Sequence, residues 1–356
     1  MFSELSLLWL IIIFAVAALI TWGAGIWLSD TTDILASRLG LGQALGGLIL
    51  LAISTNLPEI VITFTAAIRH NLGIAVGNLI GGIAIQTVVL AALDLSLKGE
   101  RPLSYRAASL ALVLEAALVV GILNIAILGT RLDPSLVLLR VTPQNLLIVL
   151  AWMGGLWMLK KAQNGLPWQA KGQPPDSQEK PAGHSQKQKD QNSRQRGAST
   201  AQVITKFLVA SLATLAAGFT LEESGDQIAH HWGMSGVIFG ATVLAASTSL
   251  PELSTGITSV RMGDYQLAMS DIFGGNAFLP VLFLLASLVS GESVLPHAQN
   301  SDIYLAGLGV ILTAVYILGL ILRPSRRRAG MGWDSWLVIL LYVAGIAGLA
   351  FVPNGG

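Results

Sequence analysis

Ten stretches of this 356-residue chain are apolar over enough length to cross a lipid bilayer: 7–28, 40–68, 71–97, 104–128, 144–160, 203–221, 234–259, 266–290, 303–322 and 333–352. A crossing takes about 20 mostly apolar residues. No water reaches the backbone N–H and C=O groups inside a bilayer, so each stretch must close its hydrogen bonds within itself, as a helix. The expected fold is an all-α polytopic membrane protein with ten transmembrane helices. Charged residues make up only 12% of the chain, against about 25% in a soluble domain, and the mean hydropathy is +0.67. The 21 Lys+Arg nearly balance the 20 Asp+Glu, leaving +1. That argues against nucleic-acid partners, which call for a basic face. Cys is absent, which excludes disulfides, thiolate metal sites and thiol catalysis.

The first stretch follows MFSEL, with no basic segment and no small-residue cleavage site, so it reads as a retained helix and not a signal peptide. Between the fifth and sixth stretches lies a polar tract at 162–201, rich in Gln, Lys, Pro, Gly and Ser. It cannot bury enough apolar surface to fold and reads as a disordered linker. Basic residues concentrate in cytoplasmic loops. With the linker in the cytoplasm, 18 Lys/Arg fall inside and only Arg69, Arg131 and Arg140 outside. The chain is therefore expected as a multi-pass protein of a prokaryotic inner (plasma) membrane, in contact with lipid, with both termini outside.

Compared with itself at an offset of 193 residues, the chain aligns 33–82 with 226–275 without a gap. Fifteen of the fifty pairs are identical, and they include STNLPE (54–59) against STSLPE (247–252) and Gly81-Gly82 against Gly274-Gly275. Similarity among Ala/Leu/Gly helices does not account for a shared Ser-Thr-x-Leu-Pro-Glu. The first copy opens on the inside and the second on the outside, so two five-helix halves related by inversion are expected. These are residues 1–161 and 202–356, with the linker between them. Many secondary transporters have this architecture, with the site near the midplane at broken helices.

The break can be located. Proline lacks an N–H and clashes one turn back, so no regular helix runs through Pro58 or Pro251. Each suits the first turn of a new half-helix, with Ser/Thr ahead of it as a cap. Carbonyls left open around Ala52–Thr55 and Ala245–Thr248 then need a partner in a waterless medium, and a cation would serve. Glu59 and Glu252 follow the break at matched positions. A carboxylate at membrane depth costs about 2.5–3.5 kcal/mol on insertion scales, which makes it a functional candidate. A protonated Glu capping its half-helix is the alternative. Two carboxylates offer four oxygens, and the Thr55 and Thr248 carbonyls bring the set to six, within the roughly six to eight that Ca²⁺ takes. Asn56 and Ser249, one place on, could serve monovalent ions.

A second wall comes from the next helices. Asn78, Gly82 and Gln86 share one face at i, i+4, i+8, and Asp271, Gly275 and Leu279 repeat the pattern. The glycines suit close backbone packing. Asp271 is a third carboxylate in an apolar helix, with capping or pairing as its plain role. It lies about 12 Å before Leu279 along the helix, toward the cytoplasmic mouth, where it could take up and release a proton. Glu115 reads as structural. Asp94 reads as reaching the interface near Lys98. The histidines fall in loops or at span ends without a ligand cluster, and Arg326–Arg328 reads as a topology signal.

These residues resemble the Ca²⁺/cation antiporter superfamily, the family of sodium/calcium exchangers. Its repeats run roughly G-T-S-x-P-E and then G-N-x-x-G-S-N-x-x-N/D. This chain has STNLPE with GNLIGG, and STSLPE with SDIFGGN. The resemblance implies Ca²⁺ binding by Glu59 and Glu252 with the carbonyls of Thr55 and Thr248. It also implies Na⁺ contacts at the carbonyls of Ala52 and Ala245, and places Asn56 and Ser249 at the motif serines. Gln86 and Leu279 stand at the family's Asn/Asp positions, and Gly82 and Gly275 at its second serines. The implied divalent site is whole, while much of the implied Na⁺ shell is replaced.

The expected function is a secondary active cation antiporter, not an enzyme. It would exchange Ca²⁺ for Na⁺ or H⁺ by alternating access, without an organic cofactor. A proton-coupled or monovalent cation exchanger is the alternative within the class, and a non-transporting membrane scaffold or cation sensor the alternative outside it.

Overall fold

The computed structural model describes residues 2, 5–38, 53, 55–70, 72–137, 139–163, 199–233, 240–261, 263 and 265–353, and structural statements concern these. Ala52 and residues 164–198 of the expected linker lie outside them. The helices, in chain order, are α1 (Leu7–Arg38), α2 (Leu57–Ile68), α3 (Leu72–Ser96), α4 (Leu103–Ala107), α5 (Leu110–Gly129), α6 (Pro143–Gln163) and α7 (Thr200–Trp232). They continue as α8 (Ala245–Thr248), α9 (Leu250–Arg261), α10 (Tyr265–Phe278), α11 (Leu282–Ser290), α12 (Asn300–Leu322) and α13 (Trp333–Leu349). A π-turn at Gly240–Leu244 leads into α8, and a 3₁₀ turn at Leu279–Val281 joins α10 to α11. Among the described residues the only β-pairing is a single bridge between Arg328 and Met331.

Six helical stretches among the described residues are long and apolar enough to cross a membrane: Leu7–Leu28, Ala75–Ser96, Leu110–Gly129, Thr200–Trp232, Tyr265–Ser290 and Asn300–Leu322. α2 and α13 are shorter apolar helices. Helix α3 lies at the centre, packed by α2, α8, α9, α10, α12 and α13. Its Leu79, Ile83, Leu90 and Leu93 join the main hydrophobic core with Phe273, Phe283 and Tyr316.

The boundaries differ from the sequence reading in three places. Helix α1 has 32 residues and α7 has 33, about 50 Å each at 1.5 Å per residue. Hydropathy falls at Ser29-Asp30 and at Glu222-Glu223, but the hydrogen-bond ladder continues through these polar turns. α7 starts on a reciprocal cap, in which Ser199 Oγ accepts from Gln202 N at 3.2 Å and Gln202 Oε1 accepts from Ser199 N at 2.9 Å. It stops where Gly233 takes φ 61°, a left-handed conformation that suits glycine. The expected span 104–128 is broken after Ala107, and α5 starts afresh with Ser109 Oγ accepting from Leu112 N. The expected span 266–290 is interrupted at Pro280.

Helices α1 and α7 pack along each other and run antiparallel. Leu10 meets Ile228 and Ala229 at one end, while Ala17 meets Ala217 and Leu221 further along. Each also packs on the proline-started helix of the opposite half, α1 on α9 and α7 on α2. The contacts are matched at the 193-residue offset. A Cβ on Gly25 would lie 2.7 Å from the Pro251 Cβ, and a Cβ on Gly218 would lie 3.2 Å from the Pro58 Cα. Both glycines lie upstream of the aligned segments, and they too are 193 residues apart. Thr21 and Thr214 also correspond, and each bonds the carbonyl four residues back. Filling such a contact forces backbone shifts that cost about 1–3 kcal/mol. Gly25→Val and Gly218→Val should each lower the melting temperature of purified protein in detergent by several degrees, whereas Gly23→Val, with open space around its Cβ position, should not.

Asp94 does not reach the interface. It is fully buried, and its Oδ1 accepts from Leu103 N at 2.8 Å. Its Oδ2 accepts from Gly332 N at 2.7 Å and Ser335 Oγ at 2.8 Å. One carboxylate thus holds the starts of α4 and α13 against the last turn of α3. Arg327 completes the junction. Its guanidinium donates to the carbonyls of Asp94, Leu97, Gly99 and Gly330, closing the open end of α3. Within the Arg326–Arg328 run, then, the middle residue is a helix cap. On another face of the bundle His70 Nδ1 lies 2.8 Å from Glu292 Oε1, and His297 Nε2 lies 3.7 Å from Glu292 Oε2. His70 and His297 therefore share one carboxylate. No group of three His, Cys, Asp or Glu among the described residues has metal-holding geometry.

Candidate functional site

The two Ser-Thr-x-Leu-Pro-Glu segments build matching helix starts. Asn56 and Ser249 leave helical geometry, and their carbonyls accept the first bonds of the new helices, from Ile60 N and Leu253 N, both at 3.0 Å. This puts Glu59 and Glu252 in the first turns of α2 and α9, where unpaired N–H groups favour a negative charge. The expected caps do not form. Asn56 makes no side-chain cap bond, and the hydroxyls of Thr248 and Ser249 turn back to the Ala245 carbonyl at 3.2 and 2.8 Å. That carbonyl also accepts from Ser249 N, so in this conformation its lone pairs are taken and it is closed to a cation. A buried hydroxyl finds a nearby carbonyl without opening the turn, and this local bond wins over the cap.

Glu59 and Glu252 are both fully buried. Each lies beside the threonine of the other segment: the Thr248 side chain is next to the Glu59 carboxylate, and the Thr55 side chain next to that of Glu252. Both oxygens of Glu59 and Oε2 of Glu252 have no hydrogen-bond donor among the described residues. Gln86 reaches in from α3, with Nε2 donating to Asn56 Oδ1 at 3.1 Å and to Glu252 Oε1 at 3.5 Å, while its own Oε1 also lacks a donor. Four buried acceptor oxygens in this group, three of them on carboxylates, thus have no hydrogen-bond partner among the described residues. Leaving such groups unsatisfied costs about 1–3 kcal/mol each, and more when charged. A bound cation, or a proton on a carboxylate, would offset this cost.

The second wall is asymmetric. A Cβ on Gly275 would lie 2.9 Å from Asn56 Nδ2 and 3.7 Å from Gln86 Oε1, so this glycine makes room for the amides of the first half. At the matched Gly82 the neighbour is Leu279 Cδ1, at 3.7 Å. One side of the site is lined by amides and the other is filled by a leucine. Asn78 Nδ2 donates to the Glu59 carbonyl at 3.4 Å. Asp271 is buried in the second turn of α10, beyond a capping position, and its Oδ2 accepts from Thr255 Oγ1 at 2.6 Å.

Of the residues singled out in the sequence, Glu59, Glu252, Thr55, Thr248, Asn56 and Gln86 come together. Asn78 and Asp271 brace the glutamate-bearing turns from outside. Ser249 and Ala245 bond to each other, and Ala52 lies outside the described residues. Glu115 is buried with the Ser270 side chain beside it, on the far side of α10 from this group. Two residues went unnoticed. Asn276 Nδ2 donates to Thr87 Oγ1 at 3.1 Å and so joins α10 to α3 one residue past Gln86. Thr255 sits three residues after Glu252, a spacing that puts both on one helix face and could have found it.

The model of the sodium/calcium exchanger protein family matches residues 9–159 and 203–351. The inner membrane protein YrbG of Escherichia coli is 26% identical over 325 residues, covering 88% of this chain and 91% of that protein. The fold is similar to that of the sodium-calcium exchanger NCX_Mj, with a TM-score of 0.62 at 17% identity, covering 97% of this chain and all of that one. It is also similar to the H⁺/Ca²⁺ exchanger CAX, with a TM-score of 0.63 at 14% identity over 96% of this chain and 82% of that one.

Proposed function

Because this chain belongs to the sodium/calcium exchanger family, we propose that it is a secondary active antiporter that moves Ca²⁺ across the membrane in exchange for Na⁺ or H⁺. The observation that carries this reading is the crossed pair at the centre. Two buried glutamates, one from each half, each face the threonine of the other half, and three of their oxygens have no donor among the described residues. In this reading Glu59 and Glu252 hold the divalent ion, with the carbonyls of Thr55 and Thr248 completing its shell. The site is made of both halves, so a rocking of one against the other opens it to one side of the membrane at a time. The cation is cargo, no covalent step is involved, and no organic cofactor takes part.

The counter-ion is the finer part of the proposal. Relatives of this fold are named for either ion, one a sodium-calcium exchanger and one an H⁺/Ca²⁺ exchanger. The Leu279 side chain against Gly82, and the Gln86 amide donating into the site, leave fewer free oxygens for sodium ions beside the divalent one. That favours H⁺, or a smaller number of Na⁺. Purified protein in liposomes should take up ⁴⁵Ca²⁺ when an outward gradient of the correct counter-ion is imposed. Separate Na⁺ and pH gradients in one preparation identify it, and no uptake under either would reject the antiporter reading in favour of a scaffold or sensor.

We further propose ten membrane helices in two inverted five-helix halves, 1–161 and 202–356, with the linker in the cytoplasm and both termini outside. The antiparallel pairing of the matched helices α1 and α7, and the exchanged Gly–Pro contacts, support this arrangement. The natural absence of Cys makes the topology simple to test. A cysteine introduced at Ser135 should react with a membrane-impermeant maleimide added outside intact cells, and one at Ser177 only after the membrane is opened. The reverse pattern would invert the orientation.

A further inference from the structure

The two halves hold their site glutamates in different ways, and the difference singles out one hydroxyl. In the first half the Asn78 amide donates directly to the Glu59 backbone carbonyl. The matched pair in the second half is Asp271 and Glu252. A carboxylate only accepts hydrogen bonds, and so does a carbonyl, so these two cannot bond without a donor between them. Thr255 stands there with a single O–H, which donates to Asp271 Oδ2 at 2.6 Å and has the Glu252 carbonyl oxygen, at 3.1 Å, as its weaker second acceptor. It is buried, at 5% exposure. The matched residue in the first half is Ile62, equally buried, where the amide makes a hydroxyl unnecessary.

We propose that Thr255 is a positioning residue of the transport site. Its hydroxyl ties the first turn of α9 to α10, and so fixes where the Glu252 carboxylate stands relative to Glu59. The bond to a carboxylate at 2.6 Å is charge-assisted and stronger than a neutral one. It joins α9, which carries Glu252, to α10, which carries Asp271. No change of protonation state enters the argument. The inference rests on the transport reading above and adds a residue that does not touch the ion.

Thr255→Val keeps the shape and removes the hydroxyl, and Thr255→Ser keeps the hydroxyl. In liposomes, with the counter-ion gradient that drives the wild type, Thr255→Val should raise the apparent KM for ⁴⁵Ca²⁺ about tenfold, the factor equivalent to 1.4 kcal/mol. Its maximal rate should stay near wild type, and its melting temperature in Ca²⁺-free detergent should fall by a few degrees at most, as the loss of one buried bond requires. Thr255→Ser should return the KM to within about twofold of wild type, as a retained donor requires. The double variant Thr255→Val with Asp271→Leu should be no worse than Thr255→Val plus a small remainder, because each change removes the same bond. Wild-type KM in Thr255→Val, or an equal loss in Val and Ser variants, overturns the positioning role while transport stands. Absence of wild-type uptake overturns the transport reading and this inference with it.

Discussion

Replacing Glu59 or Glu252 by Gln should reduce ⁴⁵Ca²⁺ uptake by at least about tenfold, and replacing both should bring it to the level of empty liposomes. Loss of a charged ligand is worth about 1.5–3 kcal/mol, or roughly 10- to 150-fold in affinity. Stability separates transport from a plain structural role. Neither oxygen of Glu59 has a hydrogen-bond donor among the described residues, so no fold-holding bond is lost in Glu59→Gln. Removing a buried charge in the absence of ions is then neutral or stabilising. The variant should melt at or above the wild-type temperature in ion-free detergent, and it should lose the stabilisation that added Ca²⁺ gives the wild type. A fall in the ion-free melting temperature with uptake retained would return Glu59 to capping its half-helix.

The largest effect on stability is expected at Asp94. Asp94→Leu leaves Leu103 N and Gly332 N buried without an acceptor, and Ser335 Oγ with only the Tyr316 hydroxyl. At about 1–3 kcal/mol for each of the two orphaned N–H groups, the loss is about 2–6 kcal/mol. Asp94→Asn is also expected to cost, because its NH₂ must face one of the backbone donors. Both variants should give less monodisperse protein by size exclusion and a clearly lower melting temperature. Asn should be the milder, since one acceptor oxygen remains. The protein that survives should keep its Ca²⁺ KM, because Asp94 is remote from Glu59 and Glu252 in its contacts. Unchanged melting in Asp94→Leu would mean that the junction is held by Arg327 alone.

The centre of the site was legible because its signals are local. Proline in an apolar run fixes a helix start, and a glutamate at once after it has few places to go in lipid. Repetition at one offset paired the two breaks. What the sequence hid depended on distance along the chain. Asp94, near a helix end and close to Lys98, reads as reaching the interface, whereas two of its hydrogen-bond donors lie 238 and 241 residues further on. Arg327 fits a charge-bias rule so well that its bonds to four carbonyls were not sought. The ends of α1 and α7 were misjudged because hydropathy reports where lipid stops and not where a helix stops. The Ser/Thr cap expected ahead of Pro251 fails for another reason. A hydroxyl at a helix start has competing partners in a packed interior, and here the Ala245 carbonyl takes it.

The Asp94 junction also sets a waiting time during synthesis. Its carboxylate leaves the ribosome with one donor, Leu103 N, close behind, but Gly332 and Ser335 follow 238 and 241 residues later. At about 5–20 residues per second, that delay is about 12–48 s. Throughout it the end of α3 carries an acidic group whose final partners do not yet exist, beside a helix that must already be in the bilayer. Lipid headgroups and water at the membrane surface have to serve in their place. The arrival of α13 therefore supplies the Asp94 carboxylate with two of its three donors and ties the end of α3 to the start of α13.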